Sequence, residues 1–143
     1  MSDEPRSGDA LHPAYFETCF RLLPEASTIE WPASFGIISA YATTGRKWPE
    51  ERSLAADREL EAALRASSNQ LQRIVGFSPT SGHAEPSWAV ELSFDAACDI
   101  GLRFHQDAIY FVAGDDLYVS FCDARRRLVA VGRFRERLRA AGE

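Results

Sequence analysis

Hydrophobic positions recur along this chain in two different periods, and the places where the period changes mark the elements. In HPAYFETCFRLL, residues 12 to 23, Phe16, Cys19, Phe20 and Leu23 fall at i, i+3, i+4 and i+7. That spacing predicts an N-terminal helix with His12 as its N-cap and Pro13 at its first position. FGIISAY, from Phe35, predicts a buried strand. WPEERSLAADRELEAALRASS opens with Pro49, carries Glu50 and Glu51 in its first turn and aligns Ala56, Leu60, Ala63 and Leu64 on one stripe, which predicts a helix. LQRIVGFS and SWAVELS predict two strands joined by PTSGHAEP, with Trp88, Val90 and Leu92 alternating against Ala89 and Glu91. Ser93 caps the predicted helix FDAACDIGLRFHQ, and DAIYFVA and DLYVSFC follow as strands around the tight turn at Gly114. RFRERLRAAG, after a short linker, predicts a closing helix.

Without its ends, this order is strand, helix, strand, strand, helix, strand, plus one added hairpin strand. It predicts an α+β fold of the ferredoxin-like split βαβ kind, β-α-β-β-α-β, flanked by the N-terminal and C-terminal helices. A doubly wound parallel sheet is disfavoured because the second and third strands are joined by a loop too short for a crossover helix.

The topology has a functional consequence. In a right-handed crossover the first and second strands end at the same edge of the sheet, and the second helix climbs back to that edge. The loops 42–48 and 78–86 and the helix end 103–107 are therefore expected to meet. They bring Thr43, Thr44, Arg46, Lys47, His83, Glu85, Arg103, His105 and Gln106 to one rim.

Composition sets outer limits. With 143 residues, 45% of them hydrophobic and 26% charged, the chain is the size of one domain with one core, expected at 12–143 behind a flexible leader at 1–11. Cys19, Cys98 and Cys122 are scattered and odd in number, which points to a reducing, cytoplasmic setting. No run approaches the ~18 apolar residues of a membrane span. The net charge of −5 hides an asymmetry: residues 124–143 carry seven arginines against two glutamates, which leaves −10 for the rest. Such a tail is either an anion-binding patch or a solvated helix in which Glu136 pairs with Arg133 and Arg139. Because Phe134 is its only aromatic residue and the remaining chain is acidic, nucleic acid is disfavoured as a partner.

The leading functional expectation is a compact polar or anionic ligand held at the rim by Arg46, Lys47, His83, Glu85, Arg103 and Gln106. The arginines and the lysine offer charge, and Gln106 offers a two-way amide. Against it stands a purely structural role, with Glu85 paired to Arg103 and with His83 and Gln106 bracing the loop. A second class is a protein interaction module that uses an edge strand, with Tyr110 and Tyr118, or the arginine-rich tail. A third is a metal-dependent hydrolase built on His83, Glu85 and His105, with an open fourth position. The H-x-E of SGHAEP lacks the P-C-x-x-C partner of zinc deaminases, Cys98 reads as a buried thiol, and no phosphate or dinucleotide loop occurs. No cofactor is expected.

The blocks FGIISAY, WPEER, GFSP, SGHAEPSW and GLRFHQDAIYF, in that order, resemble the bacterial domain-of-unknown-function family 3293 over roughly residues 35 to 122. The matching positions are His83, Glu85, Phe104, Gln106 and Ala108. Tyr41-Ala42 and Ser53 depart from the Asn-Pro and the asparagine that family members often carry. The resemblance brings no assigned activity, and it draws attention to the rim.

Overall fold

The computed structural model describes residues 11–23, 30–41, 49–67 and 71–140. They form eight strands: β1 Cys19–Leu22, β2 Ser34–Ile38, β3 Leu71–Phe77, β4 Ala84–Val90, β5 Ala108–Ala113, β6 Asp116–Phe121, β7 Val129–Arg133 and β8 Leu138–Arg139. The helices are α1 Glu50–Ser67, α2 Phe94–Arg103 and a single turn, α3 Phe134–Arg137. All strands join one sheet in the order β7-β6-β5-β2-β4-β3-β1-β8. Neighbours are antiparallel except β1 and β8, which run parallel.

Strands β7 and β8 are opposite edges of this sheet, yet only α3 separates them in the chain. Eight strands laid flat would span roughly 33 Å. The link from Arg133 to Leu138 reaches at most about 18 Å, so the sheet must curl until its edges approach. Arg137 spans the remaining gap, donating from Nη1 to the Thr18 carbonyl at 3.0 Å and from Nη2 to the Val131 carbonyl at 3.4 Å.

Curling gives the sheet two unlike faces. Helices α1 and α2 cover the convex face, where Ile38, Leu60, Leu64, Trp88, Cys98 and Phe111 belong to one buried cluster. Helix α2 lies close because glycine stands at the contacts. A Cβ at Gly36 would sit 2.9 Å from Ala97, and one at Gly101 would sit 2.6 Å from both the Cys122 sulfur and Ile109. Helix α1 is keyed by Asp57, buried beneath it, which accepts from Arg73 Nη1 at 2.8 Å and from Trp88 Nε1 at 3.2 Å. The Arg73 guanidinium also lies 4.3 Å over the Trp88 ring. At one end of the concave face Phe134 packs against Phe20, Trp31 and Phe35, with ring centroids 5.1 to 5.9 Å apart.

Both predicted terminal helices are corrected. Only Pro13–Phe16 form a 3-10 turn, with the His12 side chain accepting from Ala14 N–H as expected, and the chain then extends into β1. Phe20 and Leu22 face the concave core with strand periodicity, and the edge of β3 supplies backbone partners that a short helix would forgo. The arginine-rich end is β7, one turn and β8 instead of a helix. Val129 and Val131, read as linker, are β-branched residues that extend the sheet beyond β6. Among the described residues no helix is long and apolar enough to cross a membrane.

Candidate functional site

Strand β4 begins at Ala84, so the H-A-E-P segment enters the sheet instead of staying in the turn. Pro86 has no backbone N–H to give to β2, and the β2–β4 ladder stops at Ile38 opposite Trp88. Where β2 ends, Ser39 takes over. Its hydroxyl lies 3.1 Å from both Glu85 Oε1 and the Pro86 carbonyl, and it accepts from Tyr41 N–H at 3.0 Å. The hairpin before β4 is closed by Ser78 N–H donating to the His83 carbonyl at 2.8 Å, with Gly82 in the left-handed conformation at φ 78°.

Two-residue alternation then sends Glu85 and Ser87 to the concave face together with Ala89. Glu85 faces Gly76 of β3, whose missing side chain leaves room in front of the carboxyl. A cavity of about 400 Å³ opens there. Phe20, Ile37 and Tyr110 supply much of its inner wall, while His12, Glu17 and His83 belong to its outer part. Tyr110 reaches it from β5 and donates to the Tyr15 carbonyl at 2.7 Å.

Burial pushes the Glu85 carboxyl up to about 7, against the opposing pull of the Ser39 hydroxyl. Burial likewise raises the Tyr110 phenol well above its ordinary value, so it stays neutral. The site therefore combines a carboxyl raised toward neutrality with a neutral phenol and two serine hydroxyls.

The expected rim is only partly assembled. His83, Glu85 and Gln106 line this cavity. Arg103 and His105 line a separate depression with Arg52 and Glu59. The cause is the end of α2: His105 adopts φ 62°, His105 N–H bonds the Leu102 carbonyl and Gln106 N–H bonds the Gly101 carbonyl. This Schellman turn reverses the chain and buries Gln106 while leaving Arg103 and His105 exposed. Gln106 Nε2 donates to the Tyr41 carbonyl at 2.8 Å and to the Phe104 carbonyl at 3.4 Å. Glu85 is partnered by Ser39 and not by Arg103. Thr43, Thr44, Arg46 and Lys47 lie outside the described residues.

The trio His83, Glu85 and His105 is not brought together, and among the described residues no group of three His, Cys, Asp or Glu side chains stands close enough to hold a metal ion. Cys98 is buried with its thiol raised by burial, and burial pushes Cys122 up to about 12; neither is poised as a nucleophile. Several tail arginines are drawn into the fold: Arg126 reaches Asp95 and Asp99, Arg133 reaches Asp116, and Arg137 closes the sheet.

Ser39, Gly76, Ser87 and Tyr110 are the site residues that sequence reasoning did not place here. The available signal was the alternation of Glu85 and Ser87 through AEPSWAV, which becomes visible once Pro86 is read as a strand residue at the limit of a ladder. No curated protein and no solved structure matches this chain. A family model, described as a protein of unknown function, DUF3293, matches residues 38–109, a span that contains Ser39, Gly76, His83, Glu85, Ser87 and Gln106. The chain thus belongs to the DUF3293 family of proteins of unknown function.

Proposed function

We propose that the chain binds a compact polar ligand in the cavity of the concave face, with Glu85 as the group that reads it. The observation that carries this reading is the placement of Ser39, Glu85, Ser87 and Tyr110 around a hollow of about 400 Å³ on an otherwise apolar face. A carboxyl raised toward neutrality in a concave site with convergent polar groups is a frequent mark of function. His83 at the mouth and Gln106, which braces the Tyr41 carbonyl, complete the polar side.

The order β5-β2-β4-β3, antiparallel throughout, supports reading this core as a ferredoxin-like split βαβ unit extended on both sides. The three buried, unpaired cysteines support a reducing, cytoplasmic setting.

Filling the cavity tests the reading. A Cβ at Gly76 meets Thr18 and Phe20 only at ordinary contact distances of 3.5 and 3.7 Å, so Gly76→Ala should fold; Gly76→Val adds two methyl groups toward the hollow, and its circular dichroism and thermal unfolding establish that it is folded before binding is compared. A fragment set screened by saturation-transfer NMR should bind the wild-type protein and Gly76→Ala, and should bind Gly76→Val at least tenfold more weakly. Equal binding by all three would refute a ligand site here.

A further inference from the structure

The hydrogen atoms of the inner wall are already committed. Thr18 donates its hydroxyl hydrogen to the Ala14 carbonyl at 3.0 Å, Ser87 to the Glu85 carbonyl at 3.1 Å and Tyr110 to the Tyr15 carbonyl at 2.7 Å. Both amide hydrogens of Gln106 are directed at the carbonyls of Tyr41 and Phe104. Ser39 has one hydrogen for two acceptors, Glu85 Oε1 and the Pro86 carbonyl. What this inner wall has left for a guest is lone pairs: hydroxyl oxygens, the Gln106 amide oxygen and the Glu85 carboxyl, while the other polar lining groups, Ser78, Thr80, Ser81, His12 and His83, belong to half-buried or exposed residues. Among the described lining residues there is no lysine or arginine, and two are glutamates, Glu17 and Glu85.

An inner wall that offers acceptors beside a carboxylate selects a donor, and a cationic one over a neutral one. Phe20, Ile37, Phe77 and Ala108 give the same cavity an apolar side, so the guest also needs a short hydrocarbon body. Building on the cavity reading above, we infer that the ligand is a compact primary or secondary ammonium compound, its N–H groups on Glu85, Ser87 and Tyr110 and its hydrocarbon part against Phe20 and Ile37.

A proton linkage follows. The ammonium requires the ionised carboxylate, whose titration lies near 7, so binding should strengthen as pH rises through neutrality and release a proton. Facing or flanking Glu85 are the neutral Tyr110 phenol from β5, Ser39 from β2, Glu17 and His12 from the segment before β1, and His83 from the hairpin, with the fixed charge of Arg137 held on the far side of Thr18 by its bonds to the Thr18 and Val131 carbonyls. A cationic histidine would oppose the ammonium, so protonation of His12 or His83 acts in the same direction as protonation of Glu85.

Isothermal titration with benzylamine, benzyl alcohol and benzoate as probes tests the inference. At about pH 8 benzylamine should bind at least tenfold more tightly than either of the others, and its affinity should fall about tenfold by about pH 6. In Glu85→Gln the three probes should differ by less than about threefold. The wild-type pH series carries the test even if that variant folds poorly. Benzyl alcohol or benzoate binding as tightly as benzylamine, or a pH-independent benzylamine affinity, would overturn the ammonium assignment and leave the cavity reading standing. If neither these probes nor the fragment set binds, the cavity reading itself fails, and the assignment with it.

Discussion

Ser39 and Glu85 meet across the gap that opens where β2 stops, hydroxyl to carboxyl oxygen at 3.1 Å, and the same hydroxyl lies as close to the Pro86 carbonyl, so one serine ties the two central strands beyond their ladder. It fixes the carboxyl over the cavity instead of letting it turn to water.

A consequence is a pH dependence of stability. The folded protein holds the Glu85 proton up to about 7, above the ordinary value of 4.5. Because the native state binds that proton more tightly than the unfolded chain, the contribution is fully present below 4.5 and is lost as pH rises through 7. The loss approaches at most about 1.4 kcal/mol per pH unit. Urea unfolding at about pH 5 and about pH 8 should show wild-type protein losing stability against Glu85→Gln, which stays neutral throughout.

Removing the Asp57 carboxylate should strand Arg73 and the Trp88 indole N–H together. With both ionic side chains mostly buried, at 12% and 21% exposure, Asp57→Ala should cost about 2–3 kcal/mol, somewhat under the ~3–5 of a fully buried pair. Chemical denaturation followed by Trp fluorescence measures this, and Arg73→Met in the same background should recover part of the loss.

At the end of α2, His105 occupies the left-handed position that glycine fills best. His105→Gly should therefore raise stability by about 0.5–1 kcal/mol. Ligand binding should not change, because His105 belongs to the outer depression and not to the cavity.

The closing segment is structural. Phe134 is 2% exposed at the hub of the aromatic cluster, so Phe134→Ala should cost about 3–4 kcal/mol. Truncation after Asp123 should unfold the sheet edges, seen as fast hydrogen exchange in β1 and β6, instead of merely removing a charged appendage.

Much of the fold was legible because burial there follows one period at a time. Helix α1, with Leu60 and Leu64 on its stripe, and β5, apolar and buried over most of its length, each sit where a single face or a full burial writes a plain pattern. The ends misled because Phe16, Cys19, Phe20 and Leu23 satisfy a helical spacing while Phe20 and Leu22 also satisfy a strand, and only the free edge of β3 decides between them. The site was half legible for a similar reason. His83, Glu85 and Gln106 could be gathered from chain order, but Gly76 joins them through the register of β3 on β4, Thr18 through the unexpected strand β1 on β3, and Tyr110 across the concave face from β5. Arg103 and Gln106, three residues apart, were expected together and are parted by the left-handed turn at His105.

Chemical-shift mapping with benzylamine on isotope-labelled protein near pH 8 reports whether the concave cavity takes up the ammonium compound. The backbone amides of Thr18, Gly76, Glu85, Ser87 and Tyr110, contributed by four strands or their margins, should move together along one saturating curve. Shifts confined to the depression at Arg103 and His105, or scattered without saturation, would contradict that uptake.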